Sequence, residues 1–338
     1  MEYLIYGGVL LLSFIVSYLT VPWAITFAIK KGIIDNPKQD DRRVHKTPTP
    51  RAGGIAIVAG VMISILLFYI LSFFIDVEID KRLLGYVLGA IVIITMGFVD
   101  DMKNLKPLYK FLMQLIAGAV IYVFGISIVG VKIPFIYTQI IDFGIWAFPI
   151  TLMWVLGITN AVNLIDGLDG LAAGISSIAS VSLLVIFAMT GAPMAALIIT
   201  FALVGATVGF LPYNFNPAKT FMGDTGSNFL GYTLATVSIM GMAKGYTILA
   251  IVAPLIVCGV PVFDMVFAII RRLVKRQKLT APDKGHIHHR LLKHGFSQKQ
   301  AVLILYGLTS ILGITAVTLV TGMTKQGILC IILAIIIC

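Results

Sequence analysis

Asp100 and Asp101 stand side by side in GFVDDMKNLKPLYK, at the end of a long apolar run. Adjacent carboxylates at a helix C-terminus repel one another and oppose the helix dipole, so positive charge must gather near them. Lys103, Lys106 and Lys110 are one source of that charge, and a metal ion or a basic, phosphate-bearing site is another. A second cluster, NAVNLIDGLDG at 160–170, sets Asn160, Asn163, Asp166 and Asp169 between two apolar segments. An Asp at the centre of a membrane helix costs about 2.5–3.5 kcal/mol on insertion scales, so such clusters are rare and usually functional. Their three-residue spacing drifts by about 60° per step on an ideal helix, so Asn160 and Asp169 face opposite ways unless the helix ends. Gly167 and Gly170 permit that break. Capping needs a single Asn or Asp, and this turn has four.

A third stretch, YNFNPAKTFMGDTGSNFLG at 213–231, places Asp224 between Gly223 and Thr225-Gly226-Ser227, just before an apolar run. An Asp in that position is ordinarily an N-cap, but the small residues also leave backbone room for a phosphate or metal at a helix N-terminus. The GxxxxGK[ST] spacing of a Walker loop is absent. In GVPVFDMVFAIIRR, Asp264 lies about 10 Å inside the helix end at Arg271. An intramembrane carboxylate either serves function or pairs with a basic residue. The segment 271–300 is dense in Lys and Arg and carries His286, His288, His289 and His294. With no Cys nearby and no HxxxH or CxxC spacing, zinc is a poor fit, and imidazoles beside Arg290 suit a phosphorylated ligand. His45, in RRVHKTPTPRAGG, joins another basic loop. Oxygen ligands without thiols select a hard cation such as Mg²⁺, which takes one or two carboxylates plus substrate phosphates. Mg²⁺ together with basic groups is what phosphoryl transfer requires, because its transition state spreads charge over phosphate oxygens.

The elements that hold these residues are membrane helices. Of 338 residues, 59% are hydrophobic and only 12% charged, about half the charge of a soluble domain. The expected fold is all-α and polytopic, a single domain over 1–338. Ten apolar runs can span, at about 3–29, 53–75, 83–99, 109–129, 145–159, 172–190, 194–212, 227–242, 246–270 and 302–322. An eleventh begins near 327 and ends short of a span at Cys338. The segment 130–144 alternates β-formers and suits a small extramembrane hairpin. Alternating the spans leaves all 25 Lys and Arg residues on one side except Lys81, Arg82, Lys132, Lys244 and Lys325. By the positive-inside rule that side is cytoplasmic, and every polar motif lies there, including the basic loop 271–301. The net charge of +10 therefore points to phosphates and the bilayer surface, with no nucleic-acid partner expected. Cys258, Cys330 and Cys338 all lie in apolar runs and read as small buried hydrophobes. A membrane location makes one substrate a lipid. The competing class, a transporter, would gather its polar groups near the midplane in repeated halves. A non-catalytic scaffold would leave the carboxylates and histidines without a purpose.

In order along the chain, DDMKN (100–104), NAVNLIDGLDG, FMGDTGS (221–227), PVFD (261–264) and APDKGHIHHRL (281–291) resemble the polyprenyl-phosphate N-acetylhexosamine-1-phosphate transferases. The resemblance covers about residues 35–300. The interrupted HIHH is like the branch that transfers GlcNAc 1-phosphate to begin teichoic acid or common antigen, whereas the peptidoglycan branch, which uses phospho-MurNAc-pentapeptide, typically has three consecutive histidines. This likeness implies a bacterial plasma-membrane enzyme with a cytoplasmic-face active site, in which undecaprenyl phosphate attacks the β-phosphorus of a UDP-N-acetylhexosamine and UMP leaves. It implies Mg²⁺, replaceable by Mn²⁺, and is compatible with a homodimer. Position by position, it implies that Asp224 holds the metal with Asn163 as a second contact. Asp100 and Asp101 would lie near the reacting phosphates, with Asp166 and His289 completing the catalytic group. Asp169, Asn214 and Phe221 would line the nucleotide pocket, and Lys46, His286, His288 and Arg290 would meet the diphosphate or sugar. A base role for either paired aspartate is not required, because a phosphate monoester with a second pKa of about 6 is already largely dianionic at neutral pH.

Overall fold

The computed structural model describes residues 2–37, 47–75, 77–132, 139–242, 248–277 and 285–322. It is built of helices: α1 (Glu2–Lys31), α2 (Gly54–Ser72), α3 (Lys81–Lys103), α4 (Pro107–Val123), α5 (Ala147–Ile165), α6 (Leu171–Thr190), α7 (Met194–Asn214), α8 (Gly223–Met242), α9 (Ile248–Val257), α10 (Gly259–Val274), α11 (Ile287–Lys293) and α12 (Gln298–Val320). Two small antiparallel ladders join them, β1 (Ile34–Asp35) with β2 (Thr49–Pro50) and β3 (Gly130–Val131) with β4 (Ile141–Asp142). The second ladder is the hairpin that alternation predicts. Among the described residues, seven helices are long and apolar enough to cross a membrane, or eight if the bent pair α9–α10 is one span.

The ten expected spans all coincide with helices, and three of them depart from a plain apolar span. At 17 residues, α4 is about 25 Å long, short of a hydrocarbon core of about 30 Å. Ser, Thr, Asn and Asp side chains temper the apolar character of α8, which is not among the seven. The run 246–270 is broken by a bend of 85° at Cys258. Gly259 weakens the helix there, and Pro261 cannot donate a backbone hydrogen bond and its ring crowds the carbonyl four residues back. The last stretch, 327–338, lies outside the described residues.

At the centre stands α8, packed on α3 and α5 and touching α2, α6, α7 and α9. Every residue from Met222 to Met240 is buried, so its hydroxyls meet protein and not lipid. Thr233 and Thr236 donate to the carbonyls one turn back, and the Tyr232 hydroxyl donates to the Tyr86 carbonyl at 2.9 Å. Trp154 reaches Ser238 at 2.9 Å from α5. Apolar burial adds no net drive between helices already in lipid, so close backbone packing must hold the bundle. A Cβ on Gly54 would lie 2.3 Å from the Gly226 nitrogen, and one on Gly97 would lie 2.5 Å from the Thr225 Cα. On the opposite flank α1 lies against α7, with Ser13 and Ser17 donating to Ala202 and Ala206.

Because the atoms facing Gly97 are backbone, they cannot yield by a rotamer change. Gly97→Ala is expected to destabilise the fold by about 1–3 kcal/mol, the usual range for overpacking. Gly307→Ala, on α12 with nothing within 4 Å, should leave the unfolding midpoint in detergent unchanged or higher. Equal midpoints for the two variants would show that the α3–α8 approach is not tight.

Candidate active site

Four helix ends meet where α8 begins. Gly223, with φ +69°, turns the chain into α8, and a Cβ there would fall 2.6 Å from Asp101 Oδ1. Asp101, from the last turn of α3, accepts hydrogen bonds from the Asp224 and Thr225 backbone N–H groups at 2.8 and 2.9 Å. Its Oδ2 also accepts from the Thr225 hydroxyl at 2.6 Å. Asp101 thus caps α8 from another helix, and its charge favours the positive end of that helix. The neighbouring Asp100 accepts from the Leu105 N–H at 2.7 Å and pairs with Lys110 of α4.

Asp224 itself points into the junction. Its Oδ1 accepts from Asn163 Nδ2 at 2.9 Å and lies 3.5 Å from Lys110 Nζ, and its Oδ2 is bound by the Arg51 guanidinium. The Arg51 Nε is also 3.3 Å from Asp101. Carboxylates and cations therefore alternate, Asp100–Lys110–Asp224–Arg51–Asp101. Burial works against the charge on Arg51, yet Asp224 and Asp101 beside it hold its pKa above the usual arginine value. Asn163, in the last turn of α5, also donates to Ser227 at 2.8 Å, which leaves its Oδ1 as the atom able to meet a metal. Among the described residues no three His, Cys, Asp or Glu side chains form a ready cage for a metal. Mg²⁺ does not need one, since one or two carboxylates plus substrate phosphates usually hold it, and Asp224 with the Asn163 Oδ1 could supply the protein's share.

The chain leaves α5 at Asp166, the helix C-cap, as the spacing of the polar cluster requires. Asp166 is crowded by protein but keeps one edge open, and burial, with Asp224 next, pushes its pKa up to about 7. Asn160 turns the other way, donating to Gln114 at 2.7 Å, while Gln114 donates to Asn228 at 3.0 Å. Asn228 in turn donates to the Asp224 carbonyl at 2.8 Å, so this amide chain braces α4, α5 and the first turn of α8.

Asp169 and Asn214 are brought to the same end, where both side chains bond to neighbouring loops. Asp169 Oδ2 accepts from Asn216 Nδ2 at 2.9 Å and from the Ala218 N–H at 3.0 Å. Asn214 accepts from the Gly170 N–H at 3.1 Å and donates to the Thr220 carbonyl at 2.9 Å. Together they sew the α5–α6 turn to the loop before α8. Phe221 is half-buried, with its backbone bonded to Pro50 and Gly53. On α11, His286 and His288 are buried, His289 is half-buried and Arg290 is exposed. The His288 ring reaches Gly167, where a Cβ would lie 2.5 Å from its Nε2. Lys46 and His45 lie outside the described residues. Arg51 was not legible as a site residue. It follows β2 with its N–H on the Ile33 carbonyl at 3.0 Å, and only that ladder and the packing of α2 on α8 carry it to Asp224.

A family profile described as glycosyl transferase family 4 matches residues 83–242, which include Asp100, Asp101, Asn163 and Asp224. The chain is 42% identical over 314 residues to a probable undecaprenyl-phosphate N-acetylglucosaminyl 1-phosphate transferase of Bacillus subtilis, covering 92% of this chain and 85% of that protein. It is 33% identical to a decaprenyl-phosphate N-acetylglucosaminephosphotransferase of Mycolicibacterium smegmatis, over 86% of this chain and 76% of that one. A phospho-N-acetylmuramoyl-pentapeptide-transferase of Listeria innocua is 33% identical, over 91% of this chain and 96% of that protein. With identity at these levels running through nearly the whole chain, the protein belongs to the polyprenyl-phosphate N-acetylhexosamine-1-phosphate transferases of glycosyl transferase family 4.

Proposed function

We propose that the protein transfers GlcNAc 1-phosphate from UDP-GlcNAc to undecaprenyl phosphate, forming a polyprenyl-pyrophosphoryl sugar and UMP for cell-envelope glycan synthesis. The observation that carries this reading is the alternation of carboxylates and cations around Asp224, at the mouth of an otherwise apolar bundle. An oxygen of the lipid phosphate attacks the β-phosphorus of the nucleotide sugar. The bond from that phosphorus to the bridging oxygen breaks, and UMP leaves with the oxygen. No proton needs to be removed from the attacking phosphate at neutral pH. Asp224 and the Asn163 Oδ1 would hold Mg²⁺, which supplies charge neutralisation for the diphosphate. Arg51 and Lys110, already beside Asp224, are placed to neutralise the remaining phosphate charge. Along α5, from its start at Trp146 as far as Ile158, an apolar cavity of about 510 Å³ opens toward the bent α9–α10 pair, lined also by Met153, Trp154, Leu255, Val262 and Met265. Its lining suits a prenyl chain whose phosphate reaches the end of α5.

We assign the site to the cytoplasmic face of a bacterial plasma membrane, because Lys30, Lys31, Arg51, Lys103, Lys106 and Lys110 gather at that end of α1–α4. The GlcNAc donor is favoured over the MurNAc-pentapeptide by the interrupted HIHH and by the 42% identity to the Bacillus protein.

Asp224→Asn should reduce UMP release by roughly 10²-fold or more, because it removes the charge that the metal and both cations need. EDTA should abolish turnover of the unaltered enzyme, and Mg²⁺ or Mn²⁺ should restore it. Turnover that survives EDTA would exclude the metal assignment. With purified protein and undecaprenyl phosphate, UDP-GlcNAc should yield UMP while UDP-MurNAc-pentapeptide yields little. A site that hydrogen-bonds one sugar can reject another by ~10⁴, and faster use of the pentapeptide donor would reverse the branch assignment. In a background without native cysteines, Lys106→Cys should label only from the cytoplasm and Glu78→Cys only from outside. Labelling of both from one side would refute the assigned orientation.

A further inference from the structure

Asp264 is a carboxylate inside a membrane helix, and the Asp224 network does not account for it. It is buried on α10, and both of its oxygens are committed to the histidine segment. Oδ2 lies 2.8 Å from His286 Nδ1, and Oδ1 accepts from the Ile287 N–H at 2.8 Å. An ionised carboxylate only accepts, so the facing Nδ1 carries the proton and Nε2 is left as the second edge of the ring. The same side chain therefore fixes a tautomer and anchors the first turn of α11.

From His286 the contact continues toward the site. The His286 and His288 rings lie parallel, 5° apart with centroids separated by 5.8 Å, and His288 contacts His289 at 4.3 Å. His288 presents Nε2 to Gly167, in the turn between Asp166 and Asp169, where any Cβ would collide with it. Its buried Nδ1 has no hydrogen-bond partner among the described residues. Burial, with His289 next, pushes the His288 pKa down to about 3, so this ring is neutral and is held by packing alone. His288 is packed between the His286 ring on one side and His289 on the other. Of these rings, His286 is the one that Asp264 grips.

We infer that Asp264 is a positioning residue for the histidine segment, fixing the Nδ1–H tautomer of His286 and the first turn of α11 so that His286 and His288 are set against the α5–α6 turn. The inference rests on the transferase reading for its kinetic consequences and on geometry alone for the placement of α11.

Asp264→Asn separates the two tasks. The amide oxygen still accepts from the Ile287 N–H, but the NH₂ now donates to His286 Nδ1 and drives the imidazole proton to Nε2. The shape is kept and the tautomer is reversed. In a serine-protease triad the equivalent change lowers kcat by about 10⁴; here kcat for UMP release should fall by at least about 100-fold. The KM for UDP-GlcNAc should change far less than kcat, because the placement of α11 is kept and only one ring edge is altered. His286→Gln should cost a similar factor, and the double variant no more than His286→Gln alone, since the pair acts as a unit. Asp264→Leu removes both acceptors, so full-length protein in detergent should be cut by trypsin between 275 and 299 about tenfold faster, with Asp264→Asn cut like the unaltered protein. The cleavage comparison needs no turnover. If the unaltered protein releases no UMP, the transferase reading fails while trypsin still decides the placement of α11. Full kcat in Asp264→Asn, losses that multiply in the double variant, or unaltered cleavage of Asp264→Leu would each overturn the inference.

Discussion

Charge balance around Asp224 is the constraint to which the surrounding helix ends conform. Two carboxylates about 4 Å apart repel by about 4 kcal/mol at an effective dielectric constant of 20, and three cannot share a partly buried junction unpaired. Arg51 and Lys110 lie between them, each touching Asp224 and one aspartate of α3. The five charges come from the β2–α2 connection, α3, α4 and α8, so their pairing fixes how those elements end. Removing one member of a buried pair typically costs about 3–5 kcal/mol, because the partner is left uncompensated. The same arrangement suits a diphosphate with its metal, since the site already holds the right charges in alternation.

Such a junction needs a rigid floor, and α8 supplies it. A helix with Thr, Ser, Asn and Asp along its length would be costly against lipid, but here protein surrounds it on every side. Tyr86, Tyr232 and Trp154 satisfy hydroxyls within the bundle, and Gly54, Gly97 and Gly226 let neighbouring backbones close on its first turn. Asp101 ties that turn to α3, and the Gln114–Asn160–Asn228 amide chain ties it to α4 and α5. Asp224 is thus held at a helix start that several other elements define. The bent α9–α10 pair works to a different end: it leaves an apolar cavity beside α5 and turns Asp264 toward the histidines.

Much of this was legible in the sequence because lipid restricts what a polar residue can do. The break within 160–170 followed from a three-residue period that no continuous helix can converge, and α5 does end at Ile165 with Asp166 as its cap. The small residues around Asp224 announced a helix start, and alternation announced the hairpin of β3 and β4. The order of the five polar motifs identified the family. Hydropathy and period act locally along the chain, so they can be read without knowing what lies opposite.

What lies opposite was decided only by the tertiary structure. Asp101 both caps α8 and pairs with Arg51 at the site, while the Asn214 side chain joins two loops. Arg51, one arginine in a basic loop, became a partner of Asp224 through a two-residue ladder and the packing of α2 on α8. The apolar run 246–270 contains nothing that forbids a straight span except Gly259 and its prolines, and it bends by 85°. By itself the sequence determined which groups are too polar to face lipid and therefore must gather at one end of a helical membrane protein. Which of them pair with one another, and which keep an atom free for a ligand, depends on distances across helices far apart in sequence, and only the packed bundle sets those.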